Sequence, residues 1–277
     1  MKLVDLDGLF EKFVRKYIAD NKIAVSDDLD DLLSEIYEEF DKTTFSELGG
    51  KTPVSYFEDS SADYGKLIKE YNTIEAEISD YFIDGAVKCA KDDDLIALLD
   101  PLLDENVVIP AIDILDKRNS KKAFDRYIDL LFDERTDPCI VDKIVDVLCY
   151  SADDVADKIL KRLSEAAYIN SVFAEILCHC KIKRDGIRSA LLHGLYFGDR
   201  IEEYCSYLVE YGDESVVDDL ITFAETVDEY VPYKELSLAI EALGGAPLKE
   251  RDFENDLDFV AIKNSEKGKK NEPEDKD

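Results

Sequence analysis

An all-α fold of stacked helix pairs is the architecture this sequence predicts, and three observations carry it. Four segments repeat one apolar pattern: Ala123, Tyr127, Ile128 and Leu131; Val155, Ile159, Leu160 and Leu163; Ile187, Leu191, Leu192 and Leu195; Val216, Leu220, Ile221 and Ala224. Each set falls at i, i+4, i+5 and i+8, which aligns four apolar side chains on one helical face. Successive sets are offset by 32, 32 and 29 residues. A second series precedes them: Ile112, Ile114 and Leu115; Val145, Val147 and Leu148; Ala174 and Leu177; Cys205 and Leu208; then Ile240 and Leu243 as a partial unit. Short polar turns join the two series, at Lys117–Lys122, Ser151–Asp154, Lys181–Gly186 and Gly212–Ser215. Turns this short force antiparallel helices, and neither helix of a pair covers its apolar stripe without a neighbouring pair.

Ahead of the repeats, residues 1–60 read as an N-terminal helical cap. Leu6, Leu9, Phe10, Phe13, Val14, Tyr17 and Ile18 form the stripe of a first helix over 5–20. Ser26 is the expected N-cap of a second, with Asp27 and Asp28 at its positive end. Leu29, Leu32, Leu33, Ile36, Tyr37 and Phe40 supply the buried face of that helix. Residues 61–88 read as helical with a break near Asn72, and Ile74, Ile78, Phe82 and Val87 mark the packed side. Asp92, Asp93 and Asp94 then precede Leu95, Leu98, Leu99, Leu102 and Leu103. No calcium-loop pattern follows these aspartates, so they read as charges that favour a helix N-terminus. Repeats extend over 61–245. Gly244-Gly245-Ala246-Pro247 stops the last helix. Residues 246–262 are expected to cap the terminal repeat through Phe253, Leu257, Phe259 and Val260. Residues 263–277, charged and nearly free of apolar groups, read as a disordered tail.

Over about residues 72–245 the chain resembles the HEAT and armadillo-like α-solenoid families. The repeated apolar positions carry the likeness, with Pro110 and Pro138 near the starts of first helices. It implies an α–α superhelix of HEAT-like helical-hairpin repeats. The tetratricopeptide signature Trp-x-x-Leu-Gly is absent, since the chain has no Trp. Deoxyhypusine hydroxylases resemble this architecture but rely on His-Glu pairs for iron. Here Cys180 follows His179 and Gly194 follows His193, so that chemistry is excluded.

Composition narrows the partner. The formal net charge is −31, with pI near 4.3. Five Lys and five Asp/Glu in residues 261–277 cancel, so the body carries all of it. Such a body repels phosphate backbones, which argues against nucleic-acid binding. No run of 18 apolar residues suggests a membrane span, and the N-terminus lacks a secretory h-region. Six cysteines at or beside apolar helix positions read as reduced core residues of a cytoplasmic protein.

No catalytic constellation emerges, and neither a cofactor nor a metal is expected. Gly49-Gly50-Lys51-Thr52 invites a phosphate-loop reading, but position 45, where that motif needs Gly, is Phe. Cys178-His179-Cys180 resembles a metal tripeptide, yet adjacent helical residues diverge by about 100° and cannot converge on one ion. Two histidines offer few bases for a Ser or Cys nucleophile.

Binding is the better-supported activity. In the repeat register, the outward positions of the second helices read Asp129, Lys161, His193 and Thr222; one turn earlier they read Arg126, Lys158, Ala190 and Asp219. Stacked second helices would present these as a ladder. Arg126, Asp129, Lys158, Lys161, Arg162, Arg188, His193 and Tyr196 are the candidate partner-binding residues. A non-enzymatic protein- or peptide-binding scaffold is therefore expected. The alternatives are a lyase- or transferase-like enzyme holding a bulky ligand in the groove, or an acidic mimic of nucleic acid.

Overall fold

A computed structural model describes residues 1–22, 29–165 and 171–262. Among these residues all regular structure is helical, apart from one isolated antiparallel bridge between Phe45 and Lys51. The expected Ser26 cap and the charged tail lie outside the described residues. No helix among those described is long and apolar enough to cross a membrane. The chain forms two compact units, Met1–Ile144 and Val145–Asp277.

The first unit holds α1 (Leu6–Asn21), α2 (Leu29–Lys42), α3 (Pro53–Phe57), α4 (Tyr64–Thr73), α5 (Asp80–Cys89), α6 (Asp92–Ile96), α7 (Glu105–Lys117), a 3-10 turn at Lys121–Ala123, and α8 (Phe124–Leu131). α9 (Pro138–Tyr150) begins in it. An aromatic cluster holds the N-terminal helices together. Phe40, 1% exposed, meets Phe10, Phe13 and Phe45 at ring distances of 5.1, 5.4 and 5.0 Å. The Gly-Gly-Lys-Thr segment serves this packing. Gly49 and Gly50 adopt φ of 65° and 79°, and the Gly50 amide donates to Phe45 O at 2.8 Å. A side chain would strain both positions. Thr52 then caps α3 in a reciprocal box with Ser55, and Pro53 occupies its first turn.

Two expectations need correction here. The break after α4 falls at Ile74–Ser79, where Glu75 turns left-handed at φ 53°; Ile74 is exposed while Phe82 is fully buried. α6 stops at Ile96: the Leu98 and Leu99 amides donate to Leu95 O and Ile96 O at 2.9 and 3.1 Å in tighter turns, and beyond Pro101 the Asp100 carboxylate takes the Leu102 amide at 3.0 Å. Leu102 is left 72% exposed.

The second unit contains α10 (Ala152–Glu165), α11 (Ser171–Cys178), α12 (Asp185–Phe197), α13 (Ile201–Tyr211), a 3-10 turn at Glu214–Val216, α14 (Val217–Ala224) and α15 (Tyr230–Ala242). First helices pack on first helices, α13 on α11 and α15 on α13; α12 packs on α10. The apolar register is buried in both units. Of the sixteen second-helix positions only Leu160 and Ile221 are half-buried, and every first-helix position is buried. Each Val, Leu or Ile among them contributes roughly 1.5–3 kcal/mol by leaving water.

A polar periodicity accompanies the apolar one. Arg118 donates to Ala90 O at 2.5 Å, Ser120 to Asp92 at 2.6 Å and the Lys181 amide to Asp153 at 3.2 Å, each across 28 residues. The Arg184 amide donates to the Tyr211 hydroxyl at 2.6 Å and Arg251 to Ala224 O at 3.3 Å, each across 27. These bonds satisfy helix-end carbonyls and turn amides from one helix pair to the next. Where polar groups are buried they are otherwise satisfied, as at Thr136, which donates to Leu130 O at 2.7 Å. The Tyr127 hydroxyl and the Oδ1 atom of Asp92 are exceptions, with no hydrogen-bond partner among the described residues.

C-terminal capping is partial. Phe253 and Phe259 pack on Tyr230 at 5.7 and 5.0 Å, and Arg251 lies 5.1 Å over both Tyr233 and Phe253. Leu257 and Val260, expected in that cap, stay exposed.

Candidate binding surface

Of the eight positions expected to face outward, Ala190 is buried and Arg126 half-buried. Asp129, Lys161, His193 and Thr222 are exposed, as are Lys158 and Asp219. Arg126 and Asp129 belong to the first unit, and the remaining candidates to the second.

Their chemistry divides into tethered and outward groups. Arg126 is half-buried and its Nε donates to Leu99 O at 2.6 Å, tying α8 to the turn after α6. Arg188 is likewise tethered, donating to Asp185 and to the Ser215 hydroxyl at 2.8 Å each. Arg162 is half-buried on α10. Lys158 and Lys161 stand on the exposed face of the same helix, one turn apart. His193 stacks on Phe197 with ring centroids 4.7 Å apart, and Phe197 is 77% exposed. Tyr196 leans on Phe223 at 5.1 Å. Burial, with help from Asp219, pushes its hydroxyl pKa above the ordinary value. On α13, Tyr204 and Tyr211 are buried.

Two concave features adjoin this face. One, of about 310 Å³, is lined by His193, Phe197, Gly198, Asp199, Arg200 and Tyr204 among others. Tyr196 does not line it. A larger one, of about 630 Å³, lies where α13, α15 and the helical stretch 257–262 begin, and shares Asp199 and Arg200 with the first. The larger one was not legible in the sequence, because its walls come from segments as distant as Asp199 and Asp258.

Cysteines show what the thiols can do. All six are free. Burial pushes the thiols of Cys149, Cys178 and Cys205 up to about 12, and that of Cys180 to about 11. Within the Cys178-His179-Cys180 tripeptide both cysteines are buried, while His179 turns outward, 3.5 Å from Glu210. Cys139 is exposed beside Glu105 and Asp137, whose ligand-type atoms lie within 4.8 Å of one another and of its sulfur. Hydrogen bonding within the cluster accounts for it. Asp137 accepts the Cys139 amide at 2.8 Å, and the Glu105 carboxylate, chiefly by hydrogen bonding, holds the Cys139 thiol above its usual pKa. Iodoacetamide at mildly alkaline pH is therefore expected to alkylate Cys139 well before Cys178, Cys180 and Cys205. Glu105→Gln should speed that reaction by enlarging the thiolate fraction. Peptide mass mapping over time checks both; equal rates at all four sites would contradict the burial assignment.

Among the described residues the regular structure is helical, and Asp129, Lys161, His193 and Thr222 are exposed at equivalent positions of the apolar register. Comparison with protein-family models, with curated proteins and with solved structures finds no match for the chain.

Proposed function

We propose that this chain is a non-enzymatic, cytoplasmic scaffold that binds a protein or peptide across the exposed faces of its second helices. In this reading the helix pairs stack as an α–α superhelix of the HEAT-like kind. One observation carries it: equivalent register positions are buried on the inward side and exposed on the outward side, and the exposed ones differ chemically. Lys161, His193 and Thr222 occupy one such position. A frame repeated for stability with a varied exterior suits recognition of an irregular partner. First helices packed on first helices support the stacking, and six free thiols support a reducing compartment.

Affinity capture from cell extract, read by mass spectrometry, tests the surface. Lys158→Glu with Lys161→Glu is expected to lower recovery of the bound partner about tenfold. Both side chains are exposed on α10. Recovery equal to that of the unaltered protein would overturn the assignment of this face.

A further inference from the structure

We infer that the groove at the starts of α13 and α15 docks a basic, amphipathic segment of a partner protein. The inference rests on the scaffold reading and names the chemistry of its partner. Apolar side chains supply the contact area. Ile201, Val231 and Pro232 are half-buried within the groove, and Leu257 stands 85% exposed at its edge. Phe197, 77% exposed, lies in the adjoining hollow, which meets the groove at Asp199 and Arg200. Two of the most exposed large apolar side chains of the second unit thus flank one continuous depression.

Charge decides what covers them. Arg200 is matched by Glu203 at 2.6 Å. Asp256 is committed to backbone amides, accepting from Tyr230 at 2.8 Å, Asp258 at 2.9 Å and Phe259 at 3.0 Å. That leaves Asp199, Glu202, Glu229 and Asp258, which line the groove and form no ion pair with any described residue. Their oxygens do not converge as a three-ligand cluster of the kind seen at Glu105, Asp137 and Cys139. Separated carboxylates suit a row of separate cations better than a single metal ion. Apolar flanks beside separated anions fit a chain that alternates Lys or Arg with apolar residues. The exposed Phe197 ring also offers a face to a cation. Nucleic acid, acidic peptides and anionic lipid surfaces are repelled. The net charge of −31 favours encounter with a cationic segment from any direction.

Fluorescence anisotropy with a labelled synthetic peptide of repeated Lys-Leu-Lys triads tests this on the full chain. The comparison peptide replaces every Lys by Glu. Glu202→Gln, Glu229→Gln and Asp258→Asn together are expected to weaken binding of the basic peptide about tenfold. Leu257→Ala should weaken it about threefold. A charge-matched control, Glu214→Gln, Asp218→Asn and Glu225→Gln, removes exposed carboxylates elsewhere in the same unit and should change it less than twofold. Equal losses from the two triple variants would show diffuse attraction and overturn the proposal, as would equal binding of both peptides. If the unaltered chain ignores the basic peptide while Lys158→Glu/Lys161→Glu still abolishes partner capture, this inference falls and the ladder stands. If the groove binds the peptide while partner capture ignores the two lysines, the ladder falls and the groove stands.

Discussion

Arg118→Met is expected to destabilise the first unit by about 3 kcal/mol. The guanidinium lies 3.0 Å from Asp92, with side-chain exposures of only 25% and 15%. It also donates to Ala90 O at 2.5 Å and Ala86 O at 3.4 Å, carbonyls at the end of α5. Removing it leaves a mostly buried carboxylate whose remaining recorded donor is the Ser120 hydroxyl at 2.6 Å, and it unsatisfies a helix end. Most of the cost is that stranded charge. Arg118→Met combined with Asp92→Asn should therefore recover more than half of the loss. Urea denaturation of the two variants checks it. A loss below about 1 kcal/mol for Arg118→Met would mean that solvent screens the pair as it does a surface ion pair.

Gly85→Ala on α5 is expected to cost about 2 kcal/mol, opposite in sign to the helix-propensity gain of about 1 kcal/mol. A Cβ at Gly85 would overlap the Phe57 carbonyl oxygen and lie 2.7 Å from Phe57 C, both on the backbone of α3. Backbone held in a capped helix cannot step aside, so α5 and α3 must separate. Gly186→Ala on α12 provides the contrast. There the new Cβ meets only a Leu160 methyl, at 3.1 Å, and that side chain can shift. Its effect should stay within about 0.5 kcal/mol. Thermal unfolding of both variants decides between propensity and packing: a rise in Tm for Gly85→Ala would show that the helices have room to adjust.

Much of the helical frame was legible because it depends on local spacing. A pattern of i, i+4, i+5 and i+8 marks a buried face whatever that face packs against, so the repeat register came directly from residues such as Ile187, Leu191 and Leu195. The misreadings share a cause. Leu102, Ile74 and Leu257 are apolar residues in helical phase with their neighbours, yet Pro101, the left-handed Glu75 and the Asp256 cap turn the chain before they reach the core. Arg126 reads as an outward basic rung, but its stem allows the guanidinium to fold back onto Leu99 O.

By itself the sequence determined that the chain is helical, which faces of the repeated helices are apolar, and the acidic charge of the body, since these follow from periodicity and composition. Tertiary structure alone decided which polar groups are already committed. Asp256 caps α15 while Asp258 does not, Arg200 is matched while Glu202 and Glu229 are not, and Asp199 meets Asp258 around one groove. Those distinctions depend on distances between segments far apart in the chain, which no local pattern of residues encodes.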